Sequence, residues 1–295
     1  MFQRLLISTD FSDGLHRLAK FVPSLAATGI KQVVFLHSVP IWEEGEVPRI
    51  DSKKVEQANQ RLEVAFQNLP ADIEVKVEVP SGRPINMILN TVEKYQSDLV
   101  MLGMPSRSLL DEKLFGSTTC GLAQRTPVPL MIIRPQLVFA FTNEEMALRC
   151  QHLFRCLLIP YDGSDSANYL DQCIKQKAQS QPSQSLAACV LCWVIEQGGR
   201  RELHATNLLQ QTQAQEALKA IKTDLEKLDL QVDFQVRTGN PVLEIQEAAQ
   251  EFDISAIALS SPNFGKFWEL SIPSFTGEIL RRSWHPVLFF PPNGR

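Results

Sequence analysis

Short runs of consecutive apolar residues recur along the first half of the chain. They are Leu5–Ile7, Val33–Leu36, Leu99–Leu102 and Leu130–Ile133. Runs of this length, without a polar residue inside them, are typical of parallel strands that are buried on both faces of a sheet. The pattern therefore predicts a parallel sheet at the centre of this half.

The segments between these runs have the apolar spacing of amphipathic helices. The apolar positions are Leu15, Leu18, Val22 and Leu25; Val55, Ala58, Leu62, Phe66 and Leu69; and Ile85, Ile88, Leu89 and Val92. One further segment, at residues 73–79, alternates apolar and polar residues, which predicts an edge strand with one solvent-facing side. Strand and helix thus alternate as βαβαβαβαβ, which predicts an α/β fold: a doubly wound, mainly parallel five-stranded sheet with helices on both faces.

The second half of the chain repeats the first. FQRLLISTDFSD at Phe2 corresponds to FRCLLIPYDGSD at Phe154, and PLMIIRP at Pro129 corresponds to PVLFFPP at Pro286. A third pair, SGRPINMIL at Ser81 and TGNPVLEIQ at Thr238, lies in the same order between them. The repeat predicts two tandem domains, residues 1–135 and 154–295. The connector, residues 136–153, has no run of Gly, Ser or Pro, which favours a packed or helical strap over a flexible tether.

Composition narrows the class of protein. The 295 residues, 44% of them hydrophobic, are enough for two globular domains. A formal net charge of −4 gives no broad basic surface, so nucleic acid is not an expected partner. No apolar run approaches the roughly 18 residues that would span a bilayer, and the first residues do not resemble a secretion signal. We therefore expect a cytoplasmic protein without membrane insertion.

The six cysteines do not form the pattern of a disulfide framework. They are sparse and scattered in a chain of this length, which favours reduced thiols. Cys189 and Cys192 form a CxxC, but they lie inside the apolar run ACVLCWVI, where residues three apart point to opposite faces of a strand. Core packing is therefore favoured over redox or zinc chemistry.

The stretch LVMLGMPSRSLLDEKLFGST, residues 99–118, follows the fourth predicted strand. In a doubly wound sheet, ligands bind at the carboxyl ends of the strands where the strand order reverses, between the first strand and the fourth. Gly103 and Gly116 would let the backbone approach an anion closely, and Ser117 and Thr118 would open a helix whose free N–H groups favour phosphate. This helix is expected to run to about Arg125, before Thr126-Pro127.

These residues give the chain a resemblance to the universal stress protein family. Its nucleotide-binding members have Gly, two residues, Gly, nine residues, then Gly and Ser or Thr after the fourth strand. Here Gly103, Ser106, Gly116 and Ser117 stand at that spacing, with Ser106 in place of the second glycine. STDFS at residues 8–12 resembles the end of the family's first strand, and FLHSV at residues 35–39 resembles the end of its second strand.

The resemblance implies a Rossmann-like fold of the adenine nucleotide alpha-hydrolase type and a site for ATP or another adenine nucleotide in the first domain. It assigns Thr9 and Asp10 to the adenosine, with Asp10 accepting from ribose hydroxyls, and places Ser38 beside the base. Phosphates would contact Gly103, Ser106, Gly116, Ser117 and Thr118, with any Mg²⁺ carried in by the phosphates. The implied function is a stress-response regulatory protein that signals through an unidentified protein partner.

The second half departs from the family pattern in its phosphate loop. Ser260, Asn263, Pro273 and Ser274 stand where Gly103, Ser106, Gly116 and Ser117 stand in the first half. Proline has no N–H to donate to a phosphate and cannot adopt a positive φ. We therefore expect nucleotide binding in the second domain to be weakened or lost.

Other interpretations of the same residues remain open. Gly103 and Gly116 could serve only as turn glycines, and Asp10 and Asp162 only as helix caps. A second alternative is an enzyme, and slow ATP hydrolysis is the only reaction that the sequence suggests. The five histidines show no metal-ligand spacing and no pairing with a nucleophile. We therefore assign neither a catalytic residue nor a metal site. A nucleotide-free scaffold is the third alternative, with the aromatic cluster Phe264, Phe267 and Trp268 as its binding surface.

The family often pairs domains along the last strand. Here that edge would be Leu130–Ile133 in the first half and Val287–Phe290 in the second. The resemblance therefore implies a pseudo-twofold arrangement of the two halves within one chain, and further association of two chains into a homodimer.

Overall fold

A computed structural model describes residues 1–41, 49–104, 117–180, 185–196, 204–261 and 274–292. The chain forms two compact units, residues 2–151 and residues 152–295, the second of which includes Met1. Within the described ranges no helix is both long and apolar enough to cross a membrane.

Among its described residues, the sheet of the first unit contains five strands, and all of these are parallel. They are β1 (Arg4–Ser8), β2 (Gln32–Leu36), β3 (Glu74–Glu78), β4 (Leu99–Gly103) and β5 (Leu130–Ile133). Their order across the sheet is β3, β2, β1, β4, β5. Leu5, Leu6 and Ile7 are all fully buried, and since neighbouring residues of a strand face opposite sides, both faces of the sheet are covered. The predicted doubly wound α/β fold is confirmed.

Helical segments connect these strands. They are a 3₁₀ helix at Leu15–Phe21, α1 (Val22–Ala26), α2 (Ser52–Leu62), a 3₁₀ turn at Glu63–Phe66, α3 (Pro84–Tyr95) and α4 (Ser117–Arg125). The sequence predicted one continuous helix from Leu15 to Leu25. The segment instead starts as a 3₁₀ helix and becomes α-helical only at Val22. Pro23 accounts for the break, because proline has no N–H to continue the helical hydrogen bonds.

The connector is helical and packs on the first unit. It forms α5 (Pro135–Ala140) and α6 (Asn143–Gln151), and Val138, Met146 and Cys150 are buried. The Arg17 guanidinium donates to the carbonyl oxygens of Val138 and Phe141. These contacts explain why residues up to 151 cluster with the first unit, while the division into 1–135, 136–153 and 154–295 stays a prediction.

The second unit repeats the topology. Its strands are β6 (Cys156–Pro160), β7 (Ala188–Glu196), β8 (Gln231–Gly239), β9 (Ala256–Ser260) and β10 (Val287–Phe290), in the order β8, β7, β6, β9, β10 and all parallel. Its helices are α7 (Asp165–Gln179), α8 (His204–Glu226), α9 (Pro241–Glu251) and α10 (Phe275–Arg282). Cys189 and Cys192 lie in the core of β7, where burial raises the pKa of both thiols, as the packing interpretation predicted.

Candidate functional site

The strand order of the first unit reverses between β1 and β4. The last residue of β1, Ser8, pairs with Leu36 of β2 on one side and with Leu102 of β4 on the other. Thr9 and Asp10 follow β1 at the same edge of the sheet where Gly103 ends β4. The structure therefore brings together three residues that the sequence analysis assigned to the site, at the position where doubly wound sheets bind ligands.

The turn after β1 is organised by the Asp10 carboxylate. Its Oδ1 accepts from the backbone N–H of Ser12 at 2.8 Å, from the Ser12 hydroxyl at 2.7 Å and from the backbone N–H of Asp13 at 3.1 Å. Asp10 is exposed, and no described residue donates to its Oδ2. One carboxylate oxygen thus fixes the turn, while the other is available to a ligand hydroxyl.

Asp13, which the sequence analysis did not assign to the site, fills the space beside Gly103. Its side chain is only 4% exposed, and a Cβ placed on Gly103 would lie 2.3 Å from the Asp13 Cβ. The Asp13 Oδ1 accepts from the Thr9 hydroxyl at 2.7 Å and from the Leu15 N–H at 2.9 Å. Gly103 is therefore required for the packing of an internal carboxylate, a role that the sequence pattern did not indicate.

Burial raises the pKa of the Asp13 carboxyl to about 6. Loss of hydration is the largest cause, because it penalises the charged form, and the nearby charge of Asp10 raises the pKa further. The hydrogen bonds from Thr9 and Leu15 act in the opposite direction. The crevice thus contains a carboxyl group that titrates well above the usual range of aspartate.

The end of β2 is tied to the same region. The His37 Nδ1 lies 2.9 Å from the Thr9 carbonyl oxygen, so this ring nitrogen donates to it. Ser38, assigned to the base, donates its hydroxyl to the Gly82 carbonyl oxygen at 2.7 Å. The Ser38 oxygen can still accept a hydrogen bond from a ligand, since a hydroxyl has two lone pairs.

Phe11 has a left-handed backbone conformation with a φ of 66°. Its ring centroid lies 4.4 Å from that of His37, and the Arg61 guanidinium carbon lies 4.3 Å from the Phe11 centroid. Bulky residues rarely adopt this backbone region, and such strain tends to occur at functional sites. The repeat has Gly163 at the equivalent position with a φ of 78°, so both units form the same turn although only the first carries an aromatic ring there.

The remaining predicted site residues belong to the loop before α4. Ser106 and Gly116 lie outside the described residues. Ser117 and Thr118 begin α4, which ends at Arg125 as predicted, and the Thr118 side chain is half-buried. Their backbone N–H groups therefore belong to the first turn of a helix, where such groups are available to an anion.

The corresponding region of the second unit contains a cavity of about 200 Å³ at the carboxyl ends of β6, β7 and β9, here called the β6–β9 cavity. The Asp162 Oδ1 accepts from the Ser164 N–H at 2.9 Å, and the Ser164 hydroxyl caps α7 by accepting from the Ala167 N–H at 3.2 Å. Asp165, the repeat counterpart of Asp13, is exposed. Asn263 and Pro273 lie outside the described residues, and Ser274 caps α10 by accepting from the Gly277 N–H.

Comparison with known protein families shows to which family the chain belongs. The model of the universal stress protein family matches residues 1–134 and again residues 154–291. The chain belongs to the universal stress protein family. A universal stress protein of Methanocaldococcus jannaschii is 22% identical over 158 residues, which cover 45% of this chain and 96% of that protein. The two family segments coincide with the repeat found in the sequence, so the tandem organisation is also confirmed.

Solved structures of universal stress proteins share the fold. A universal stress protein from Archaeoglobus fulgidus superimposes with a TM-score of 0.64 at 19% identity, over 97% of each chain. A putative universal stress protein from Pseudomonas aeruginosa gives a TM-score of 0.59 at 12% identity, covering 98% of this chain and 92% of that one. At these identities the likeness concerns the fold.

Proposed function

We propose that this universal stress protein is a stress-response regulatory protein that binds ATP or another adenine nucleotide in its first unit and signals through a protein partner in the cytoplasm. The observation that carries the proposal is the position of Asp10. It follows β1 beside Gly103 of β4, at the reversal of strand order, with one carboxylate oxygen free of donors from the described residues.

The residues of this crevice fit the parts of a nucleotide in different ways. Asp10 Oδ2 can accept from ribose hydroxyls, and the N–H groups at the start of α4 can donate to phosphate oxygens. Ser38 retains acceptor capacity at the end of β2. Gly103 is less suited to contact a phosphate, because Asp13 occupies the space beside it. We therefore propose that the phosphates lie nearer to Ser117 and Thr118 than to Gly103.

Nucleotide occupancy would act at the start of α4. Phosphates bound at the first turn of α4 would add negative charge beside this helix, whose Gln124 and Arg125 are exposed and open to a partner. Such a role needs only that a partner binds the nucleotide-bound and the nucleotide-free protein with different affinities. Mg²⁺ would accompany the phosphates, and its chemistry would be limited to neutralising their charge.

The proposal is tested by titrating the full chain with ATP and Mg²⁺ in an isothermal calorimeter. Gly116→Asp places a carboxylate in the predicted phosphate loop and is expected to abolish measurable binding. Pro273→Asp introduces the same charge at the equivalent position of the second half and is expected to leave the affinity unchanged. Equal effects of the two substitutions would contradict the assignment to the first unit.

A second measurement identifies the nucleotide. Mass spectrometry of the small molecules released when the purified chain is denatured should show an adenine nucleotide. Absence of any copurified nucleotide, together with no stabilisation by ATP in thermal unfolding, would favour the nucleotide-free scaffold instead.

A further inference from the structure

The β6–β9 cavity differs in charge from a phosphate site. Two carboxylates line it, those of Asp162 and Glu196, and among the described residues its lining contains no Lys, Arg or His. Neither carboxylate forms an ion pair with another described residue. Uncompensated carboxylates give the cavity a negative potential, which attracts cations and repels phosphates.

Ser260 contributes an unsatisfied polar atom to the same cavity. Its Oγ is buried and has no hydrogen-bond partner among the described residues, although Ser260 ends β9 at the lining of the cavity. Buried hydroxyl groups in folded proteins nearly always have a partner, because leaving one unpaired is unfavourable. If the Ser260 side chain rotates toward the cavity, a ligand that donates to its Oγ supplies this partner.

The rest of the cavity is mainly apolar. Its lining includes Leu170, Val194, Ile245, Phe275 and Tyr161. Drug-sized ligands occupy pockets of about 300–1,000 Å³, so a cavity of about 200 Å³ suits a smaller molecule. Apolar walls together with two carboxylates match a small molecule that has a hydrocarbon body and a positively charged group.

The helix N-termini around the cavity are already occupied by side chains. The Ser164 hydroxyl accepts from the Ala167 N–H in the first turn of α7, and the Ser274 hydroxyl accepts from the Gly277 N–H in the first turn of α10. These donors are therefore less available to an anion than the uncapped groups of an open phosphate loop. Both the charge and the hydrogen bonding thus act against a phosphorylated ligand here.

We propose that the β6–β9 cavity binds a small organic cation, with its ammonium group between the carboxylates of Asp162 and Glu196 and donating to the Ser260 hydroxyl oxygen. The hydrocarbon part of the ligand packs against the apolar walls. This inference does not depend on nucleotide binding in the first unit, since the residues that carry it all belong to the second unit.

Two probes of nearly equal size and shape test the charge requirement: benzylamine, which is a cation at pH 7, and benzyl alcohol, which is neutral. Ligand-detected NMR titrations of the full chain should give a dissociation constant severalfold lower for benzylamine, as expected for pairing with two exposed carboxylates. Equal affinities for the two probes, or no saturable binding of benzylamine, would overturn the proposal.

Matched variants locate the site. Glu196→Gln and Ser260→Ala should each weaken benzylamine binding severalfold, and Glu196→Gln should leave the affinity for benzyl alcohol unchanged. Glu216→Gln removes one exposed carboxylate from α8, outside the cavity, and serves as the control with unchanged binding. If benzylamine binds Glu196→Gln and Ser260→Ala as tightly as it binds the natural chain, the cavity is not its site and the proposal fails. Circular dichroism of each variant establishes that it is folded.

Discussion

Asp13 and Gly103 pack against each other at the carboxyl ends of β1 and β4, so closely that a Cβ on residue 103 would lie 2.3 Å from the Asp13 Cβ. Real Cβ atoms do not approach at this distance, so a side chain at 103 must displace Asp13 or the backbone. The absence of a side chain at Gly103 is therefore a condition for burying the Asp13 carboxyl.

Gly103→Ala is expected to lower the free energy of unfolding by about 1–3 kcal/mol, because added volume in a packed site forces neighbouring atoms to shift. Urea denaturation of the full chain measures the change. In the Asp13→Gly background the same substitution should cost clearly less, since both the Cβ and the carboxyl that clash with it are gone. A penalty of equal size in both backgrounds would show that the two residues are not coupled.

The raised pKa of Asp13 predicts a pH dependence of stability. The folded chain holds this proton up to about pH 6, whereas the ordinary value for the unfolded chain is 3.8. The contribution of Asp13 to stability is therefore fully present below about pH 3.8 and is lost as the pH rises through about 6. The difference amounts to roughly 3 kcal/mol at most.

Asp13→Asn isolates this contribution, because the amide is neutral at every pH and its oxygen can still accept from Thr9 and Leu15. Denaturation curves between pH 4 and pH 7.5 should show a smaller decrease in stability with rising pH for Asp13→Asn than for the natural chain. Asp165→Asn, which removes the exposed counterpart in the second unit, is the matched control. Identical profiles for all three chains would contradict the assigned pKa.

Arg17 anchors α5, the first helix after β5, and the residue that ends it, Phe141. Arg17→Ala removes the donors to the Val138 and Phe141 carbonyl oxygens and is expected to destabilise the first unit by about 1–3 kcal/mol. Limited proteolysis should then cleave more rapidly within residues 136–151. Lys20→Ala, an exposed position at the end of the same 3₁₀ helix, is the control and should change neither property.

The charge of Asp10 can be separated from its role in the turn. In Asp10→Asn the side-chain oxygen still accepts from Ser12 and Asp13, but the charged acceptor for ribose hydroxyls is lost. We expect the affinity for ATP, measured by calorimetry, to fall about tenfold. Asp162→Asn makes the same change in the second unit and should have no effect on ATP; a comparable loss in this variant would contradict binding in the first unit alone.

Much of the fold was predictable from local pattern. Uninterrupted apolar runs predicted the buried strands because a strand covered on both faces excludes polar residues from consecutive positions. The alternating segment at residues 73–79 is β3, at the edge of its sheet, as predicted. The prediction of one continuous helix from Leu15 to Leu25 was wrong, because the spacing of apolar residues carries no information about the N–H that Pro23 lacks. The pattern also extended α2 to Leu69, whereas α2 ends at Leu62 and Phe66 is 50% exposed.

The candidate site was predictable only in part. The sequence placed Thr9, Asp10 and Gly103 at strand ends, and the topology brings them together. It gave no indication that Asp13 is buried, because Asp13 and Asp165 occupy equivalent positions in the repeat and look alike. The roles of Ser106 and Gly116 stay predictions, since these residues lie outside the part of the chain that the structure describes.

The amino-acid sequence by itself determined that this chain contains two α/β units of one family, because hydrophobic period and repeated motifs depend only on local order along the chain. Tertiary structure decided how the two crevices differ. Gly103 leaves room for the Asp13 carboxyl in the first unit, whereas Ser260 stands at the equivalent place in the second, where Asp165 is exposed and a cavity remains. Which side chain fills a space depends on residues far apart in sequence, and only their packing reveals it.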